Sequence, residues 1–126
     1  SSWEIVKDSA YNRRIDANTK IPFAWDEPIA GDRFGYGTLA NCAGGYTPWG
    51  NILTAEENYD MFVGDFDREG NSIATSEQKW EQFYPERKPQ HYGWIVEVNP
   101  RTGDAKKLIS LGRCAHECAA VTRAKN

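Results

Sequence analysis

The chain is poor in cysteine, carries no excess of positive charge and contains no long apolar run. Three cysteines are an odd number, so at least one is unpaired within the chain. Lys and Arg number 15 against 18 Asp and Glu, a net charge of −3, and the mean hydropathy is −0.70. A weakly acidic, polar chain lacks the basic face that nucleic acid requires, so no nucleic-acid partner is expected. No apolar run approaches the ~20 residues of a membrane-spanning helix, so no membrane span is expected. No internal repeat is detectable, and no serine-nucleophile motif is visible.

Short strand-like runs punctuated by Gly, Pro, Asn and Asp are present instead. The clearest hairpin runs from Gly93 to Val98, turns through Asn99-Pro100-Arg101-Thr102-Gly103-Asp104, and returns over 105–109. Trp94, Val96 and Val98 alternate with Ile95 and Glu97, a period of two, and Pro and Gly mark the turn. A second hairpin is expected between 35–39 and 52–56, bridged by a cysteine-containing loop. The stretch 76–84 opens on Ser76, is rich in helix formers and has aromatics at 80, 83 and 84, which predicts a short helix ended by Pro85. Residues 1–31 contain Pro22 and Pro28 and show no clear period, so an extended arm is expected there.

The chemistry is concentrated in Asn41-Cys42-Ala43-Gly44-Gly45-Tyr46-Thr47-Pro48-Trp49-Gly50-Asn51-Ile52-Leu53-Thr54-Ala55-Glu56-Glu57. Gly-Gly permits close backbone approach, and Pro and Gly fix a tight turn. A hairpin of this spacing returns two carboxylates towards a thiolate, which would make a mixed sulfur and oxygen metal site. A soft thiolate favours iron over calcium, whereas hard carboxylate oxygens suit calcium. Taken alone, Cys42 reads as a small thiol packed beneath a glycine-rich turn; the surrounding motif makes it the leading candidate ligand. Glu56 and Glu57 point to opposite faces if the strand continues through them. Both are candidates, with Glu57 favoured. The acidic run from Asp65 to Asn71 lacks the distal Glu of an EF-hand and reads as a polar surface turn.

The second notable stretch is Gly112-Arg113-Cys114-Ala115-His116-Glu117-Cys118. Together the two stretches resemble the PhoX-type alkaline phosphatases, whose signatures look like N-C-A-G-G-x-T-P-W-G-T-x-L-[ST]-x-E-E and G-R-[FM]-x-H-E. The chain departs from them at Asn51, where Thr is usual, and at Cys114, where an aromatic or Met is usual. Weaker agreement appears in Tyr11-Asn12-Arg13-Arg14-Ile15 and over 93–100. The resemblance implies an all-β fold: a partial β-propeller of one to two blades, with the N-terminal arm and the short helix near 76–84. It divides the chain into the arm (1–31), a metal-motif hairpin (32–61), an insertion (62–92), and a blade hairpin with the second motif (93–126). The chain then resembles an N-terminal slice of a longer propeller. The strand-like end over 121–126 and the absence of export-signal features in Ser1-Ser2-Trp3-Glu4 fit a trimmed chain.

The resemblance further implies a periplasmic or secreted phosphoester hydrolase using Fe3+ and Ca2+. Its partners would be phosphate-ester small molecules and the remainder of the propeller chain. Cys42 is carried over as an iron ligand, at least one of Glu56 and Glu57 as a ligand, and Glu117 as another. On a strand His116 would face away from Glu117, so it takes a supporting role; Arg113 could bind phosphate through its guanidinium, but supporting a carboxylate or lying in the blade is favoured. No group that attacks the substrate is assigned within this chain. The alternative is a propeller of the same superfamily acting as a binding or structural module. The departures at Asn51 and Cys114, the extra Cys118 and the aromatic insertion around Trp80 lend it weight. Convergence of Cys42, Glu57 and Glu117 on one locus separates the two readings.

Overall fold

A computed structural model describes residues 3–124. It is mostly β-sheet with little helix. Strands β1 (Lys20–Pro22) and β2 (Phe34–Tyr36) form a small antiparallel pair. Strands β3 (Asn41–Tyr46), β4 (Ile52–Glu56), β7 (Ile95–Val98) and β8 (Ala105–Lys107) form a four-stranded antiparallel sheet in that order. Between β4 and β7 lie a single helical turn, α1 (Asp60–Val63), and a second small pair, β5 (Asp65–Phe66) with β6 (Ser72–Ala74).

The expected hairpin at β7–β8 forms. Its turn is closed by Asn99, whose Oδ1 accepts from the amides of Arg101 and Thr102, and Gly103 takes the left-handed backbone with φ 80°. The other expected hairpin does not form as drawn. Strand β2 pairs with β1, inside the segment expected to be an extended arm, and the partner of β4 is the cysteine-bearing segment itself. Ala40, with φ 50°, breaks the chain between β2 and β3, which sends the two into different sheets.

The glycine pair allows the motif to run as a strand. A Cβ on Gly44 would run into the Leu53 carbonyl, and one on Gly45 into the carbonyl of Ala119, which crosses above it. Replacing Gly45 with Ala is therefore expected to destabilise the protein by ~1–3 kcal/mol through overpacking. Chemical denaturation of wild type and variant checks this.

The predicted helix over 76–84 shrinks to one 3-10 turn, Trp80–Gln82. Ser76 accepts from the Lys79 amide at 2.7 Å and its hydroxyl donates to Phe62 O, but no side chain caps the turn itself, whose N-cap is Lys79. Lys79 adopts φ 53°, which stops a helix from extending back to Ser76. Trp80 packs edge-on against Phe62, so the insertion is held by aromatic packing rather than by helix length. Residues 113 and 114 form a bend and 115–124 belong to no helix or strand, so Cys114 and Cys118 do not lie on a strand. Cys42, Cys114 and Cys118 are all free thiols. The expected strand-like end is coil through residue 124, and residues 125 and 126 lie outside the described range.

Both faces of the central sheet are covered around β7 and the end of β4, while β3 stays largely exposed. On one face Leu53, Ala55 and Ile95 form a buried cluster, with Leu108 and Ala119 packed against it. On the other, Val96 is fully buried beside Glu56 and Lys107, because β1 joins β8 through a Phe23–Lys107 bridge. A second cluster, Leu39, Tyr59, Val63 and Tyr92, seats α1 against the end of the sheet.

His91, to which the sequence pattern assigns no role, is buried between Phe23, Tyr36 and Tyr92. Its Nε2 lies 3.1 Å from Asp32 Oδ2, which also accepts from Lys88 Nζ at 2.8 Å. Burial lowers the His91 pKa from 6.5 and outweighs the opposing pull of Asp32. The unfolded chain then takes up this proton at a higher pH than the folded one, so stability falls as pH drops below about 6.5. Thermal melting at pH 8 and pH 5.5 checks this: His91→Gln is expected to lose less stability on acidification than wild type.

Candidate metal centre

Three segments meet at one end of the four-stranded sheet. The first enters β3 at Cys42. The second leaves β4 at Glu57. The third is the stretch carrying Glu117, which lies across the sheet end. The Sγ of Cys42 and one carboxylate oxygen from each of Glu57 and Glu117 lie within 4.8 Å of one another. Cys42 and Glu117 are exposed and Glu57 is half-buried. Among the described residues, this is the one group of three such side chains so close together.

Local structure accounts for the convergence. A register shift between Asn41 and Gly44 bulges β3 at Cys42 and re-aims its side chain. The Glu57 amide donates to the Ala40 carbonyl at 3.2 Å, which turns the chain as β4 ends. Glu57 Oε2 accepts from Asn58 Nδ2 at 3.1 Å. The His116 amide donates to the Glu56 carbonyl at 2.8 Å, and the Cys114 amide to the Gly93 carbonyl at 3.1 Å, so Glu117 is delivered from a tethered segment.

The electrostatics suit a cation. A hydrogen bond from the Ala43 backbone amide favours the Cys42 thiolate. Desolvation, the contact with Glu57 and the charges of Glu57 and Glu117 outweigh it and raise the Cys42 pKa. The two carboxylates beside Cys42 disfavour its thiolate, and a positive ion placed among the three side chains would remove that penalty. One sulfur and two carboxylates form a donor set for a metal.

Glu56 is not part of this group. It is fully buried, and its side chain points away from Glu57, as the alternation along β4 requires. Lys107 Nζ lies 3.0 and 3.1 Å from its two oxygens, and backbone amides of Leu39 and Trp94 donate to them. The expectation that Glu56 is a ligand is thus corrected: its carboxylate is already satisfied by a lysine and two amides.

Arg113 braces a carboxylate. Its guanidinium lies 2.7 Å from Asp65 Oδ1 and donates to the carbonyls of Tyr92 and Pro89. Tyr59 OH donates to the other Asp65 oxygen at 2.7 Å. Asp65 is therefore a buried tie between the segments carrying Glu57 and Glu117, and not the surface-turn residue its polar neighbours suggest. Asp67 does close that turn, accepting from Asn71. His116 Nε2 is 3.0 Å from the Gly112 carbonyl, and the ring lies beside the Cys114 thiol. Asn51, the departure from the first signature, braces the turn: its Nδ2 donates to Glu97 at 2.7 Å, alongside Trp49 Nε1 at 2.6 Å. Nothing in the structure explains the cysteines at 114 and 118.

The family model described as alkaline phosphatase PhoX matches residues 1–126, the whole chain. The chain belongs to the PhoX family. Among solved structures it is similar to Pseudomonas fluorescens PhoX in complex with vanadate, a transition state analogue, at 35% identity and a TM-score of 0.68. The match covers 93% of this chain and 25% of that PhoX chain, so the sequence spans a quarter of its length. No curated protein matches. Among the described residues, no helix is long and apolar enough to cross a membrane.

Proposed function

We propose that this chain is part of a PhoX-type phosphoester hydrolase that acts on phosphate esters with iron and calcium ions. Cys42, Glu57 and Glu117 would hold part of the metal cluster, with Cys42 on iron and the carboxylates reaching calcium. The observation that carries the reading is the convergence of these three donor atoms within 4.8 Å, on the residues that the two family motifs single out. Vanadate, bound to the related Pseudomonas protein as a transition state analogue, points to phosphoryl chemistry in the same family.

When bound, the cations would neutralise phosphate charge and generate the nucleophile for in-line displacement. The chain's own part is to hold and space the ligands. The β3 bulge aims Cys42, the end of β4 aims Glu57, and the Arg113–Asp65 pair with the His116 amide fixes the segment bearing Glu117. Groups that contact the substrate would come from outside this chain, in the three quarters of the Pseudomonas PhoX that this match does not cover. The four-stranded meander has the strand count of one propeller blade, which supports a longer propeller fold. A periplasmic or secreted location follows for the same family reason. The alternative of a non-catalytic propeller is not favoured, because it predicts no reason for the triad to gather.

Elemental analysis of the purified full-length protein, paired with hydrolysis of a chromogenic phosphate ester, tests the proposal. Iron and calcium near stoichiometry with turnover are expected. A metal-free, folded and inactive protein would overturn it.

A further inference from the structure

Glu56 touches each of the three segments that carry the candidate ligands. Its Oε1 accepts from the amide of Leu39 at 2.9 Å, three residues before Cys42. Its backbone carbonyl accepts from the amide of His116 at 2.8 Å, one residue before Glu117. Its peptide bond leads directly into Glu57, and it stands opposite Asn41 in the β3–β4 register. The second carboxylate oxygen holds the Trp94 amide at 3.1 Å, and the Glu56 amide donates back to the Trp94 carbonyl at 3.3 Å.

Lys107 fixes that carboxylate. Its Nζ donates to both Glu56 oxygens and to the His91 carbonyl at 2.7 Å, three bonds that use all of its protons. Both side chains are fully buried. The site stays closed because Gly35 leaves no room: a Cβ there would lie 3.0 Å from His91 O and 3.4 Å from Lys107 Cε. The carboxylate also over-determines the left-handed backbone at Ala40, which lies between the Leu39 amide it accepts from and Asn41. A strained residue of this kind persists only where its surroundings hold it.

We infer that the buried Glu56–Lys107 pair is the positioning device of the metal centre, setting the mutual spacing of Cys42, Glu57 and Glu117. The inference rests on the metal-binding reading above. It assigns Glu56 to orientation of the ligands, and it gives Lys107, which lies outside both motifs, a role in metal affinity.

The test uses full-length protein stripped of metal and titrated with calcium and with ferric iron. The double variant Glu56→Gln/Lys107→Met removes both charges while retaining an acceptor and the volume, so no unpaired charge is left in the core. It is expected to stay folded and to bind the ions 10–100-fold more weakly, the range for residues that orient ligands. Should the double variant fail to fold, hydrogen exchange on wild-type protein decides. Metal loading is expected to slow exchange at least tenfold in peptides carrying Leu39, Trp94 and His116, since coupling is reciprocal. Unchanged affinity in a folded double variant, or unchanged exchange in wild type on loading, overturns this inference alone. Wild-type protein that takes up neither ion overturns the metal reading and this inference with it.

Discussion

Changing Cys42 to Ser in the full-length protein is expected to cut phosphate-ester hydrolysis by more than about 100-fold while leaving the fold intact. Cys42 is exposed, and no core cluster includes it, so the substitution removes one sulfur without opening a cavity. Loss of a residue that merely orients a ligand costs 10–100-fold in metal affinity or activity, and loss of the ligand itself exceeds that. Serine is also a poor substitute: its hydroxyl is a hard, weakly acidic donor where a soft thiolate is available. Activity and bound iron should fall together, with melting of the metal-free proteins unchanged. Iron retained at wild-type level in the variant would show that Cys42 is not a ligand.

The largest effect on stability is expected from Lys107→Met. Glu56 and Lys107 are both fully buried, at 0% exposure, and each satisfies the other. Removing the ammonium leaves a carboxylate in a closed interior with two backbone amides but no counter-charge. Breaking a buried pair from one side costs ~3–5 kcal/mol, most of it the charge left behind. Burial lowers the Lys107 pKa while Glu56 opposes the shift, so the lysine's charge is supported by this carboxylate. Denaturant unfolding of the full-length protein measures the loss, and adding Glu56→Gln should recover most of it. A single variant as stable as wild type would mean that the pair contributes nothing to the fold.

How far the sequence could be read follows from the range over which each signal acts. The β7–β8 hairpin was legible because its turn is local: Asn99, Pro100 and Gly103 dictate it within six residues. The gathering of Cys42, Glu57 and Glu117 could be anticipated because all three sit in motifs, although 60 residues of chain separate Glu57 from Glu117 and no periodicity relates them. Alternation along β4 separates Glu56 from Glu57 but cannot say which carboxylate turns towards Cys42. That choice is made by Lys107, 51 residues away, and a partner at such separation leaves no pattern in the sequence. Asp65 was lost in the same way, since its partner Arg113 lies 48 residues on. The β1–β2 pair escaped because Pro22 and a three-residue length resemble an extended arm. The stretch 76–84 has a helical composition behind Ser76, but the left-handed Lys79 and the packing of Trp80 on Phe62 override propensity in so short a segment.

The most direct test of the central claim is anomalous diffraction from crystals of the full-length protein, recorded on both sides of the iron absorption edge. A peak in bonding contact with Cys42 Sγ, with Glu57 and Glu117 oxygens on it or on a neighbouring calcium, is the predicted result. Iron bound elsewhere, with Cys42, Glu57 and Glu117 contacting no ion, would contradict the account.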